Sequence, residues 1–201
     1  MHFKEKVSNG VYLVPIETQL LADRTIFIEG EINQKSACDF AKYVMVLSRQ
    51  NSQKPIDVLI NSEGGEISSG LLIYDIIQTS TIPIRLFCLS KAYSMAALIF
   101  ASGTYGRYML PNSTLMLHEP LLGNLVAGSS TSLKLISDKL IAIKEKINSL
   151  LAMHTGRSPE EIDEITRSDH YFSADESVSF GLADAVITFA ELQAKEVKPY
   201  E

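Results

Sequence analysis

Along the chain, short apolar runs of strand length alternate with longer stretches whose apolar residues recur every three or four positions. Residues 25–29 are a β-branched run closed by Gly30, and Asn33 then caps a helix carrying Ala37, Phe40, Val44 and Leu47 at helical spacing. Residues 56–61 predict the next strand, Gly64-Gly65 a turn, and residues 67–77 a helix with Leu71, Leu72, Tyr74 and Ile76 in its body. Pro83 cannot continue that helix, so residues 84–89 read as a third strand. An alanine-rich apolar block then begins at Met95 and ends at Gly103, which predicts a buried helix. Three strand–helix units in succession predict a right-handed, mostly parallel α/β sheet.

The flanking segments read differently. Residues 1–24 mix polar and apolar positions around Asn9-Gly10 and Pro15 and predict an irregular arm with one short strand at most. Beyond Gly103 the pattern changes to a short segment from Arg107 to Leu110, a Pro111-Asn112 turn and a strand over 114–118 stopped by Pro120. Residues 121–132 hold Gly123, Gly128 and four Ser/Thr residues and are expected to be exposed or edge-like. Leu133, Ile136, Leu140, Ile143, Ile147 and Leu151 then mark the longest periodic stretch, a helix over about 132–154 closed by Gly156. Such a helix packs on its own sheet or reaches another subunit, and the pattern does not choose. Ser158 with Pro159 and Glu161, and Ser173 with Glu176, carry helix-start signatures; Gly181 ends the second helix, and residues 185–187 give a last strand. The chain divides into an arm over 1–24 and one domain over 25–201.

Composition narrows the classes. A chain of 201 residues with 46% apolar and 21% charged positions can bury a substantial core, and a net charge of −6 argues against nucleic acid as a partner. Cys38 and Cys88 lie in apolar surroundings without metal-type spacing, so both are expected to be buried thiols in a reducing compartment. No apolar run approaches membrane-spanning length, and the first residues lack the apolar core of a secretion signal. A cytoplasmic location with no membrane partner and no metal is expected.

Candidate chemistry sits at the joint between the third strand and its helix. Ser94 occupies a position that serves either as an ordinary helix N-cap or as a nucleophile facing the backbone N–H groups of a helix start. His118, at a strand end, and Asp169, in a late loop, complete the order Ser, His, Asp. Each has a plain structural alternative, a strand-end histidine and a surface acid.

Several motifs then occur together in one order: Ile60-Asn61-Ser62-Glu63-Gly64-Gly65, Ala92-Tyr93-Ser94-Met95, Leu110-Pro111-Asn112-Ser113, Met116-Leu117-His118-Glu119-Pro120, His154-Thr155-Gly156, Asp169 with Tyr171 and Ser173-Ala174, and Gly181-Leu182-Ala183-Asp184. In this combination the chain, from about Thr18 onward, resembles the proteolytic subunits of the caseinolytic (Clp) proteases, the ClpP family. The resemblance implies a right-handed spiral of strand–helix units of the ClpP/crotonase type with a long protruding helix. It implies that Ser94 attacks a peptide carbonyl, that His118 moves its proton and that Asp169 orients the imidazole. Backbone N–H groups of Gly65 and Met95 would stabilise the oxyanion, Gly64 would shape that turn, and the segment from Gly123 through Gly128 to Thr131 would lie along a bound peptide as an added strand. Further implications are an unfolded-polypeptide substrate, a homo-oligomer of two stacked heptameric rings and an AAA+ unfoldase. That partner would consume the ATP, and no cofactor is expected in this chain.

The chain also departs from the family pattern, as a divergent paralogue would. Glu63 stands for a proline, Ser90-Lys91 for Gly-Gln, Tyr93 for an alanine, Glu119 for a glutamine and Ser168 for an arginine. Glu119 is expected to favour the imidazolium form of His118. Val58, Ile60 and Thr79 fall where aromatics commonly line the pocket for the ATPase, while Tyr108 keeps one. Three alternatives stay open: a weak or inactive subunit that assembles with a second paralogue, a crotonase-type acyl-coenzyme A enzyme using Glu63 or Glu66 as base, and a Ser/Lys peptidase using Lys91.

Overall fold

The computed structural model describes residues 2–7, 10–51, 53–123 and 127–194. At the amino end the expected irregular arm is instead a hairpin and a helix. β1 (His2–Val7) pairs antiparallel with β2 (Gly10–Pro15) as a separate two-stranded sheet, and α1 (Ile16–Ala22) follows. Residues 8 and 9, which include Asn9 of the expected turn, lie outside the described residues. The hairpin ladder is made of backbone groups, which the polarity pattern along the segment does not report.

The predicted alternation then unfolds as β3 (Thr25–Ile32), α2 (Gln34–Gln50), β4 (Ile56–Gly65), α3 (Ile67–Thr79), β5 (Ile84–Tyr93) and α4 (Met95–Ala101). β3, β4 and β5 are parallel neighbours, as three crossover units require. Asn33 starts α2 as expected: its side chain accepts from Ser36 N at 3.1 Å, while the Ser36 hydroxyl accepts from Asn33 N at 2.9 Å. Gly64-Gly65 is not a separate turn. Both residues belong to the last stretch of β4 at φ 91° and 150°, and Gly65 pairs with Ile32 of β3.

Downstream lie β6 (Arg107–Met109), β7 (Thr114–Leu117), α5 (Ser130–Thr155), α6 (Pro159–Thr166), β8 (His170–Ser173), α7 (Ala174–Phe180), β9 (Ala185–Val186) and α8 (Phe189–Ala194). The sheet order is β3-β4-β5-β6-β9, with β7 joined to β5 and β8 joined to β7. β5 is therefore shared: Leu86–Cys88 pairs with β6, and Lys91–Tyr93 pairs in parallel with β7. Both later capping boxes form, Ser158 with Glu161 and Ser173 with Glu176, and Gly156 closes α5 at φ 70°. β8 and α8 have no counterpart in the sequence pattern.

Alternation along β4 separates two apolar clusters. Val58 and Ile60 are fully buried in the principal core against α2, α3 and α4, whereas Leu59 turns to a second cluster with Phe87, Tyr108 and Ile187. Val58 and Ile60 therefore line no external pocket, which corrects their expected place in an ATPase site. Thr79 is exposed and spends its hydroxyl on Asp75 O at 2.6 Å. Cys88 is buried as expected, but Cys38 is only half-buried. Every residue of α4 is buried, and the buried residues of α5 begin only at Ile147, so its first half stands out from the core with Leu133, Leu135 and Ile141 exposed. Among the described residues no helix is long and apolar enough to cross a membrane, and no group of His, Cys, Asp and Glu is arranged to hold a metal ion.

Candidate active site

Register brings the candidate residues together. Tyr93 of β5 pairs with Met116 of β7, and Leu117 of β7 pairs with His170 of β8. Ser94, His118 and Asp169 each lie one residue beyond those rungs, so the three-strand ribbon β5-β7-β8 delivers all of them to one end. Ser94 N continues the ladder by donating to Met116 O at 2.8 Å. Ser94 Oγ lies 2.8 Å from His118 Nε2, and His118 Nδ1 lies 3.2 Å from Asp169 Oδ1. The His118 side chain is 17% exposed and that of Asp169 57%.

Ser94 is not an ordinary cap. Its side chain makes no capping hydrogen bond to α4, and its backbone sits at φ 55°, ψ −123°, a left-handed conformation costly for a residue with a Cβ. A strained strand-to-helix turn of this kind lifts a serine hydroxyl clear of its own helix. The neighbouring chain makes room for it. A Cβ added to Gly64 would come within 2.6 Å of Tyr93 O and 2.9 Å of Ser94 Cβ, so only glycine permits this approach. Gly70 faces Met95 less strictly: an added Cβ would lie 2.4 Å from the Cε, the mobile end of the side chain, and 3.2 Å from the Cβ.

Ser94 and His118 open onto a cleft of about 230 Å³. Gly65 and Met95 line it with them, and Ile67, Leu98, Leu117, Pro120, Ile147 and Leu151 make its wall mostly apolar. Gly64 stands behind Ser94. Neither Gly123 nor Gly128 lines this cleft: Gly123 faces open space, and Gly128 meets Ser132. Residues 130 and 131, expected to be extended, begin α5, and residues 124–126 of the expected peptide-binding segment lie outside the described residues. A separate groove of about 420 Å³ between α1 and β3 shares no residue with the cleft.

The unusual charges beside the site are paired. Lys91 donates to Glu63 across the ends of β5 and β4; this bond raises the pKa of the ammonium and lowers that of the carboxylate. Lys91 also lies 6.0 Å from the Tyr93 ring centre, and the Tyr93 hydroxyl shares a hydrogen bond with Thr114 at 2.8 Å. Glu66 accepts from the Ser68 and Ser69 hydroxyls at 2.6 Å, which lowers its pKa. Glu119 turns to Lys144, 3.0 Å away, so its charge is met there and does not stand alone beside the imidazole, contrary to expectation. The sequence reading missed the Lys91–Glu63 pair and the Lys144 contact; opposite charges at two departures, Glu63 and Lys91, were the available signal.

Fold and site together define an α/β sheet protein with a serine, a histidine and an aspartate gathered at one end of a three-strand ribbon. The Clp protease family model matches residues 8–190, and the chain belongs to that family. It is thus a ClpP-type protein, a ClpP-like protease, and membership implies a serine peptidase that assembles as an oligomer and acts on a substrate.

Proposed function

We propose that this chain is the serine endopeptidase subunit of an ATP-dependent Clp-type protease, cleaving unfolded polypeptides inside a barrel of two heptameric rings. The observation that carries the reading is the run of hydrogen bonds from Ser94 Oγ through the His118 ring to Asp169, with Ser94 held in a strained backbone and free of capping duty. As Ser94 Oγ bonds to the peptide carbonyl carbon, its proton passes to His118 Nε2. The carbonyl oxygen becomes anionic and faces the backbone N–H groups of Gly65 and Met95. His118 then gives the proton to the leaving nitrogen as the C–N bond breaks, and water repeats the sequence on the acyl-serine. Asp169 holds the Nδ1–H tautomer and stabilises the transient cation. An AAA+ partner would supply substrate and consume ATP.

Fluorophosphonate labelling of the intact oligomer tests this reading, with peptide hydrolysis measured alongside. The expected result is an adduct on Ser94 and loss of both signals in Ser94→Ala; an unlabelled oligomer without turnover overturns it. A second reading, a subunit active only beside another ClpP-type paralogue, is favoured by the exposure of Asp169 and its 3.2 Å contact. Turnover by the purified chain alone excludes that one. The crotonase alternative loses support because Glu63 and Glu66 are engaged and held ionised, and the Ser/Lys alternative because Lys91 is paired with Glu63.

A further inference from the structure

Lys144 touches both segments that lead to the His118–Asp169 pair. Its Nζ lies 2.8 Å from Asp163 Oδ1 on α6 and 3.0 Å from Glu119 Oε2, the residue after His118. The Lys144 side chain is only 25% exposed. Hydrogen bonds to Asp163 and then Glu119 raise its pKa, so it stays charged across the working range. Asp163 also accepts from Asn148 Nδ2 at 3.3 Å and Arg167 Nη2 at 3.4 Å. Beside this bridge Glu119 N donates to Thr166 O at 2.7 Å, and Thr166 ends α6 three residues before Asp169. The strand end bearing His118 and the helix leading to Asp169 are thus joined by a backbone bond and by a lysine from a third element. Asp169 is itself more than half exposed, so its alignment depends on how these segments are spaced.

We propose that Lys144 is a positioning residue, which bridges Glu119 and Asp163 and so sets the spacing of the segments that present His118 and Asp169. This rests on the reading of Ser94, His118 and Asp169 as the catalytic group. Displacement of a catalytic pair by a fraction of an ångström lowers the rate of the chemical step while leaving the cleft able to bind.

Peptide hydrolysis by the full chain is compared for wild type, Lys144→Met, Lys144→Arg, Glu119→Gln and Asp163→Asn, with hydrogen exchange at the Glu119 amide measured in parallel. Lys144→Met is expected to lower kcat about 10- to 100-fold with KM within about twofold, and Lys144→Arg to restore most of it. The Glu119 amide, bonded to Thr166, is expected to exchange at least about tenfold faster in Lys144→Met. A Lys144→Met protein with wild-type kcat, or with the loss in KM alone, overturns the proposal. Should Lys144→Met fail to fold, Glu119→Gln and Asp163→Asn carry the test, and wild-type kcat in both overturns it. If wild type has no Ser94-dependent turnover, the catalytic reading fails instead, and unchanged exchange at Glu119 still sinks the positioning role.

Discussion

Replacing Gly64 by alanine is the most discriminating perturbation of the geometry around Ser94. The new Cβ would stand 2.6 Å from Tyr93 O, 2.9 Å from Ser94 Cβ and 3.1 Å from Met95 N, and the residue would have to hold φ at 91°. The first contact falls about 0.8 Å short of the 3.4 Å at which ordinary van der Waals contact begins, and its partner is backbone that cannot swing aside. Left-handed backbone costs about 1–2 kcal/mol for a residue with a Cβ, and overpacking adds about 1–3 kcal/mol. The stability loss should therefore be about 2–5 kcal/mol. Whatever part of the shortfall is met by moving Ser94 shifts its hydroxyl against His118, and a shift approaching 1 Å costs about a hundredfold in rate. Gly30→Ala is the control, because Gly30 has φ 68° but nothing within 4 Å of its added Cβ. That variant should lose about 1–2 kcal/mol and keep its turnover per folded molecule. Urea unfolding gives the stabilities, and peptide hydrolysis normalised to the folded fraction gives the rates. If Gly64→Ala turns over substrate as well as Gly30→Ala does, close approach at Gly64 does not set the position of Ser94.

Three further outcomes follow from groups elsewhere in the fold. Burial, and secondarily the Arg107 charge, lowers the pKa of His154, which shares a hydrogen bond with the Tyr74 hydroxyl at 2.9 Å. Its folded value lies below the unfolded one, so its contribution is complete above the ordinary histidine pKa of about 6.5 and is lost as pH falls below it. Tm should drop between pH 7.5 and 5.5, and His154→Gln should flatten that slope; an unchanged slope would refute the assignment. Arg107→Met leaves Asp184, 11% exposed, without its 2.5 Å partner and frees the carbonyls of Ala101, His154 and Gly181, so unfolding in urea should show a loss of about 3–5 kcal/mol. Cys88, whose pKa burial pushes up to about 12, should resist a thiol reagent until the protein unfolds, while half-buried Cys38 reacts in the native state.

How much of this was legible in the sequence depended on how local each signal was. Asn33, Ser158, Ser173 and Gly156 act on backbone groups within a few residues, and their helix ends lie where the spacing puts them. β8 was not legible, because four residues of which only Phe172 is buried make no pattern until β7, more than fifty residues earlier, pairs with them. β5 was read too short for a similar reason: Ser90 and Lys91 look like loop residues, yet Lys91 is a ladder partner of Thr114. The site inherits these limits. Ser94 was identifiable as a joint, but choosing between cap and reactive hydroxyl required its backbone angles. The meeting of His118 with Asp169 follows from the β7–β8 register, which no local spacing encodes.

The charged departures from the family pattern, Glu63, Lys91 and Glu119, are each met by an opposite charge. Glu63 alone would put an unpaired carboxylate on the wall of a mostly apolar cleft, and Lys91 alone an unpaired ammonium on the neighbouring strand; together they form one pair across adjacent strand ends. Glu119 likewise brings a charge beside His118 and meets Lys144, which Asp163 also holds. Pairing also constrains the chemistry. A lysine whose pKa is raised by a carboxylate resists giving up its proton, and a carboxylate whose pKa is lowered by a lysine is a poorer acceptor of one. Both are thereby weakened as general bases. The proton of Ser94 is left facing the group that already lies 2.8 Å from its oxygen, the Nε2 atom of His118.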